Sequence, residues 1–276
     1  MNLHFDSGDI EAWARLSGDR NPIHFSREAA RRMNAADIVV HGMLAMLPIK
    51  QALGRAAMAQ PGAATVPWIH FKSMLKTPVL RDRTLTLALT DRADRIGFKL
   101  RTCEDKAEHF TGHARRVAPS EWESDARRIT LLVGDTQAWL NRFHEGLGSA
   151  LDPWVALDAL VFGDFIRYRI ATVFDQLGPT LRLDEPLDRI EDLTSHLLVQ
   201  TTHQTVFAAD LCTVGELPPI VDYQIDNFDL VERDNEAVGT LDLGVYLQQR
   251  HVMTITLGLM IKKLAHPPEN HTHEHH

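Results

Sequence analysis

Ile10, Trp13, Ala14 and Leu16 fall on one face at helical spacing, after Asp6-Ser7-Gly8-Asp9 and before Gly18, a pattern that predicts a short amphipathic helix ended by the glycine. Ser26 is placed to cap a second helix over Arg27 to Met33, with Ala29, Ala30 and Met33 as its apolar side. Met43, Leu44, Leu47, Leu53 and Ala57 predict a longer helix from Gly42 to about Met58. Pro48 lies inside it and removes an internal hydrogen bond, so a kink or a late start is expected. Beyond Gln60-Pro61-Gly62 the pattern becomes strand-like: Trp68 to Lys76, Leu85 to Thr90, Phe98 to Thr102 and His109 to Val117. One helix followed by successive strands is not the alternation of a parallel nucleotide-binding sheet. It fits an antiparallel sheet wrapped around that helix.

The plan then repeats. Ala118 to Asp125 is polar, contains Pro119 and reads as a linker. Arg128 to Val133 suits a strand. Asp152-Pro153 is a helix start for a run through Trp154, Leu157, Val161, Phe165, Ile170, Val173 and Leu177, stopped by Gly178-Pro179. Strands follow at His196 to Phe207, Ile220 to Phe228, Val238 to Leu247 and Val252 to Ile261. The repetition is of architecture, without a letter-by-letter repeat. The expected domains are 1–120 and 121–265, with 266–276 a disordered tail holding His271, His273, His275 and His276.

Composition narrows the function classes. The 276 residues are 44% hydrophobic and 24% charged, as in a globular protein, and the formal charge is −8. That charge argues against bulk nucleic-acid binding, which needs a basic surface. Apolar windows are broken by Pro48, Lys50, Asp158 or Asp164 before reaching the ~18–20 residues of a membrane span. The N-terminus lacks a signal-peptide profile, and Cys103 and Cys212 lack metal-ligand spacing; a cytoplasmic protein with reduced thiols is expected.

The chemistry-bearing stretch is Ser17-Gly18-Asp19-Arg20-Asn21-Pro22-Ile23-His24. Asn-Pro favours a turn, which can bring the Asp19 carboxylate and the His24 imidazole around one water and let them exchange protons with it. Val39-Val40-His41-Gly42-Met43 places a glycine at a helix start, where free N–H groups suit a developing oxyanion. Together these motifs resemble the MaoC-like, (R)-specific enoyl-thioester hydratase family, whose signature Asp-x-Asn-Pro-x-His is followed by His-Gly-Met. The resemblance spans about residues 5–117 and continues through Phe71, Pro78-Val79 and Thr84-Leu85. Arg81, where the family's turn glycine is common, and Pro48 depart from its pattern.

The resemblance implies a hotdog for the first half, and the repeated element order extends it to an α+β double hotdog: two antiparallel sheets, each wrapped around a long central helix. It also implies reversible syn hydration of a trans-2-enoyl thioester to an (R)-3-hydroxyacyl thioester. Asp19 would activate water, His24 would deliver the α-proton, the Gly42 amide would hold the oxyanion and Asn21 would brace the turn. No metal or redox cofactor is implied; coenzyme A or acyl carrier protein would carry the acyl group. A homodimer of such chains is among the implied assemblies, with neither nucleic acid nor membrane as partner.

Other polar residues read more plainly. His41 suits a backbone partner, and Asp135, Asn141 and His144 lack the Asn-Pro turn. His196 and His203 read as core or interface histidines, Arg167 and Arg169 as a solvated face, and Gly146-Leu147-Gly148 is too sparse for a phosphate loop. Lys50, Arg55, Lys72, Lys76, Arg81 and Arg83 give the first half local positive charge, equally ordinary surface or a contact for an anionic carrier. The rivals to hydration are a hotdog acyl-CoA thioesterase and a non-catalytic acyl-thioester binding module. The absence of Asp or Glu from Met43 to Ala57 counts against the thioesterase.

Overall fold

Local capping chemistry sets the first element. In the computed structural model, which describes residues 1–60, 67–119, 122, 124–131, 138, 141, 145, 151–213 and 217–264, the Asp6 carboxylate accepts the amides of Gly8 and Asp9 at 2.7 and 3.0 Å. Asp9 in turn accepts the Asp6 amide, closing a capping box on α1 (Ser7–Ser17). Gly18 ends α1 at φ 75°, a left-handed conformation that costs a residue with a Cβ about 1–2 kcal/mol. A 3-10 turn, Pro22–His24, and α2 (Arg27–Arg31) lead into α3 (Gly42–Ala59). The late start expected from Pro48 does not occur: α3 begins at Gly42 and accommodates the proline within its length.

The strands are β1 (Asn2–Leu3), β2 (Trp68–Leu75), β3 (Leu85–Arg92), β4 (Arg95–Thr102), β5 (Glu108–Val117), β6 (Ile129–Thr130), β7 (His196–Ala208), β8 (Asp222–Arg233), β9 (Glu236–Leu247) and β10 (Arg250–Lys263). They form one antiparallel sheet in the order β1-β3-β4-β5-β2-β7-β10-β9-β8-β6. This corrects the expectation of two sheets. β2 and β7 pair from Trp68↔Ala208 to Met74↔Thr202, so each covers the other's unpaired N–H and C=O groups. Outward from that seam both halves repeat one topology, first strand, fourth, third, second, and each is preceded by a helix, α3 or α4 (Pro153–Tyr168). The fold is α+β.

Gly54 of α3 meets α4 closely: a Cβ there would lie 2.8 Å from Trp154 Nε1. Trp154 stacks on Phe207 of β7 at 4.2 Å, within an apolar core that runs across both halves. Asp152 stands at the N-cap of α4, but its carboxylate bonds Arg55 at 3.1 Å instead of capping. The helix expected to reach Leu177 stops at Tyr168 and resumes as α5 (Ala171–Asp175). The Arg169 carbonyl explains the break, since it accepts both the amide and the hydroxyl of Thr172, at 2.9 and 2.7 Å, in a turn that competes with the helix.

Two charged-residue expectations are also corrected. Lys50 is not surface charge; it is 0% exposed. Arg167 does not belong to a solvated face: it donates to the carbonyls of Arg15 and Leu16 at the end of α1, at 3.0 and 3.2 Å. Arg169 is half-buried. Within the expected linker, Trp122 stacks on His251. Asp135, His144, Gly146-Leu147-Gly148, Leu132-Val133 and the His-rich tail lie outside the described residues. Among the described residues no helix is long and apolar enough to cross a membrane.

Candidate active site

The turn after α1 is wired by its own short side chains. Ser17 Oγ donates to the Trp13 carbonyl at 2.9 Å and accepts the Asp19 amide at 3.1 Å. Asp19 Oδ1 accepts the Asn21 amide at 3.3 Å, and Asn21 Oδ1 accepts the Ile23 amide at 3.4 Å. Pro22 follows at the first position of the 3-10 turn, where its missing N–H costs nothing. The Asn21 side chain then donates to the Leu198 carbonyl of β7 at 3.1 Å, so the turn is anchored to the second half of the chain.

This wiring brings the predicted pair together. Asp19, His24 and His41 each present a ligand-capable atom within 4.8 Å of the others, and the three residues are 9%, 7% and 0% exposed. His24 Nδ1–H donates to the Val39 carbonyl at 2.7 Å, which leaves the Nε2 lone pair of the neutral ring open. His41 acts through the backbone, as expected of it: its Nε2–H donates to the Asp19 carbonyl at 2.8 Å. The two imidazoles stack with centroids 3.7 Å apart and planes 28° apart. Their in-plane lone pairs therefore run side by side instead of converging on one point, which is poor geometry for a tetrahedral metal and good geometry for holding a ring in place.

Burial sets the protonation of the pair. Removal from water raises the Asp19 pKa above the usual carboxylate value, against the lowering influences of His24 and the Asn21 amide. The same burial lowers His24, opposed by Asp19 and the Val39 hydrogen bond. His41 lies well below the ordinary imidazole value, first through burial and then through His24. Both shifts act toward neutral groups, and the mutual attraction of Asp19 and His24 acts against them.

Gly42 is the first residue of α3, and His41 at the N-cap supplies no side-chain hydrogen bond to it. The positive end of the helix dipole is thus left to whatever occupies the adjacent space. A Cβ at Gly42 would stand 2.8 Å from Leu75 Cδ2 and 3.6 Å from Gln200 Oε1. Asp19, His24 and Gly42 line one cavity of about 450 Å³. Its apolar walls come from both halves: Val40 and Phe110 from the first, Phe162, Ile166, Leu198 and Leu257 from the second.

Sequence reasoning missed a second polar cluster beside this cavity. Lys50 Nζ on α3 donates to Asp158 Oδ2 on α4 at 2.7 Å, and that oxygen also accepts from His203 Nε2 at 3.0 Å and Thr205 Oγ1 at 2.9 Å, both on β7. His203 Nδ1 accepts from the Gln200 amide at 3.0 Å, and Gln200 lines the cavity. Lys50, Asp158, His203 and Thr205 are all 0% exposed. The signal was a charge set among apolar neighbours in each of two helices, Lys50 after Leu47-Pro48-Ile49 and Asp158 between Leu157 and Ala159. His196, read as core or interface, is buried at the start of β7.

The chain was compared with known proteins. The family model described as "MaoC like domain" matches residues 2–112. A curated relative, the mitochondrial 3-hydroxyacyl-[acyl-carrier-protein] dehydratase of Arabidopsis thaliana, is 41% identical over 71 residues, which are 25% of this chain and 40% of that protein. The chain thus spans less than half the length of that relative. Among solved structures, a MaoC-like dehydratase aligns at TM-score 0.47 and 9% identity over 96% of both chains. A putative MaoC domain protein dehydratase from Chloroflexus aurantiacus J-10-fl aligns at TM-score 0.48 and 8% identity, over 96% of this chain and 94% of that one. The matched residues 2–112 take in Asp19, Asn21, His24 and Gly42, so all four lie in the part of the chain that is similar to the MaoC like domain.

Proposed function

We propose that this protein is a hydro-lyase of acyl thioesters, interconverting an (R)-3-hydroxyacyl thioester and a trans-2-enoyl thioester. The observation that carries the reading is the Asp19–His24 pair, buried at the wall of an apolar cavity beside the uncapped start of α3. In dehydration, His24 Nε2 takes the α-proton and the C–H electrons move into the thioester carbonyl as an enolate. The Gly42 amide and the α3 dipole stabilise that oxyanion. The enolate collapses, the C–O bond breaks, and the hydroxyl leaves as water with the proton of Asp19. The pair ends as carboxylate and imidazolium, with the same number of protons redistributed. Hydration runs the same steps backward, with Asp19 as base toward water and His24 as acid toward the α-carbon.

Dehydration starts from the neutral pair, the form toward which burial acts, and hydration starts from the ion pair, the form toward which the mutual attraction of Asp19 and His24 acts. Asn21 positions the turn, and its bond to Leu198 makes the second half part of the site's support. In this reading residues 1–120 form the catalytic hotdog unit and 121–265 a degenerate partner that completes a double hotdog and lines the acyl tunnel. The chemistry uses no resident metal or redox group, and coenzyme A or acyl carrier protein presents the acyl chain.

One assay tests the reading. With a short trans-2-enoyl-CoA, the conjugated-enone absorbance should fall without release of free thiol. Asp19→Ala and His24→Ala should each lower turnover by about 10²–10⁴-fold, the range of a positioned acid or base, without loss of fold. Thiol release would replace hydration by hydrolysis, and full activity in either variant would overturn the site.

A further inference from the structure

Asp19, His24 and Gly42 come from the first half of the chain, yet a polar side chain of the second half stands beside them. Gln200 of β7 is half-buried in the cavity wall, and its Oε1 would lie 3.6 Å from a Cβ at Gly42. Its partners fix which way the amide faces. Nε2 lies 3.0 Å from His203 Nδ1 and 3.4 Å from the Thr202 carbonyl oxygen. The carbonyl can only accept. His203 Nδ1 also accepts, because Nε2 carries the ring proton toward Asp158 Oδ2 at 3.0 Å. Exchanging the amide oxygen and nitrogen would set the oxygen against both acceptors. Oε1 therefore faces the cavity, and among the described residues it receives no hydrogen bond.

The buried cluster behind Gln200 maintains this polarity. Asp158 Oδ2 is held by Lys50 Nζ at 2.7 Å and Thr205 Oγ1 at 2.9 Å, and Lys50 Nζ also lies 3.1 Å from His203 Nε2. Burial lowers the His203 pKa, toward the neutral ring, with Lys50 adding to it and Asp158 opposing. The cluster thus presents a hydrogen-bond acceptor next to the Gly42 amide, in a cavity with mainly apolar walls. An acceptor there repels an oxyanion and is left unsatisfied unless a donor lies against it. The thioester carbonyl, the sulfur and the double bond of the proposed substrates offer none. The 3-hydroxyl does, and so does the water that attacks in the other direction. Asp19 deals with one side of that oxygen, as acid toward the hydroxyl or base toward the water, and His24 serves the α-carbon. One O–H then still needs an acceptor.

We propose that Gln200 is a further catalytic residue, an inference that rests on the hydro-lyase reading of the site. Its Oε1 accepts the hydrogen of the 3-hydroxyl in dehydration, and in hydration the hydrogen of the attacking water that is not transferred to Asp19. No bond to that hydrogen breaks: it leaves with the departing water, or stays on the new hydroxyl. His203 is a positioning residue that holds the Gln200 amide in this orientation. The same contact selects a 3-hydroxyacyl chain over a saturated one, since a site built to bond a hydroxyl leaves its acceptor unpaired with an analogue that lacks it.

Gln200→Met tests this, because it keeps the length of the side chain and removes the acceptor. (R)-3-hydroxybutanoyl-CoA serves as substrate and butanoyl-CoA, which has no 3-oxygen, as competitive inhibitor. The variant should raise KM for the hydroxyacyl thioester by about tenfold or more, the effect of losing one desolvated hydrogen bond. The inhibition constant of butanoyl-CoA should stay unchanged or fall, because no acceptor is then left unpaired. Circular dichroism verifies the fold. Equal weakening of both ligands would make Gln200 a mere support of the wall, and no change in either would remove it from the site; each result overturns the proposal. Those outcomes arise with wild-type turnover intact. A folded wild-type chain that dehydrates no hydroxyacyl thioester would instead overturn the hydro-lyase reading, and the role of Gln200 with it.

Discussion

Burial assigns opposite tasks to two side chains that meet at one point: it raises the pKa of Asp19 and lowers that of His24. The working state of the pair holds one proton. On the acid side a second proton enters the pair and on the alkaline side the last one leaves it, and the two apparent values belong to the pair. A bell-shaped kcat/KM profile with both limbs set by the pair is expected, on either substrate. A profile with a single limb would show that only one of the two titrates in catalysis. Gly42 tests the oxyanion role separately. Gly42 is the first residue of α3, outside the helix interior where propensity counts most, and a Cβ there meets only the end of the Leu75 side chain, so Gly42→Ala should change the melting temperature little. Its methyl group would push Leu75 toward the cavity and displace the thioester oxygen, and a rate loss of about 10²–10³-fold is expected. Loss of rate at constant stability would separate a site effect from a folding effect. The four residues proposed for this chemistry are legible in the sequence because their geometry is local: one turn and one helix start hold them all.

Between elements, legibility depends on whether the signal is periodic or depends on distant partners. Strand positions read from alternation agree with β2 to β5 and β7 to β10 to within a few residues, because one face of each is packed and the other is not. The join of β2 to β7 and the contact of Lys50 with Asp158 follow from no local pattern; the latter pair is separated by 108 positions. The buried Lys50–Asp158–His203 cluster ties α3, α4 and β7 together, and its stability consequence depends on what is removed. Lys50→Met should cost about 3–5 kcal/mol, because the Asp158 carboxylate loses its countercharge in the core. Removing both charges, in Lys50→Met with Asp158→Leu, should be much milder, since no ion is then left desolvated. Urea unfolding of the two single variants and the double one reads this as a double loss far smaller than the sum of the single losses. Additive losses would mean that water or His203 already compensates the aspartate.

At the scale of the whole chain, the two halves share more than a sheet edge. The first half contributes Asp19, His24 and Gly42, and the second contributes Leu198 under Asn21, Asp158 under Lys50, and Phe162 and Ile166 in the cavity wall. Residues 1–119 expressed alone would expose all of these at once. Lys50 would face the cut surface without its carboxylate, the turn holding Asp19 and His24 would lose its anchor, and β2 would become an open edge strand, the kind of surface that templates aggregation. That fragment is therefore expected to aggregate, or to pair with itself through β2, and to turn over enoyl thioester at least 10²-fold more slowly than the full chain, the cost of a site displaced by about 1 Å. Adding residues 121–265 as a separate fragment should restore part of the activity if the seam re-forms. Static light scattering combined with the enone assay follows both quantities on one sample. A soluble, monomeric and fully active 1–119 fragment would confine the catalytic unit to the first half and leave the seam without a role in the site. Intermediate activity in a self-paired fragment would have a different meaning: a second copy of β2 can stand in for β7 as an edge, but cannot supply Asp158 to Lys50 or Leu198 to Asn21.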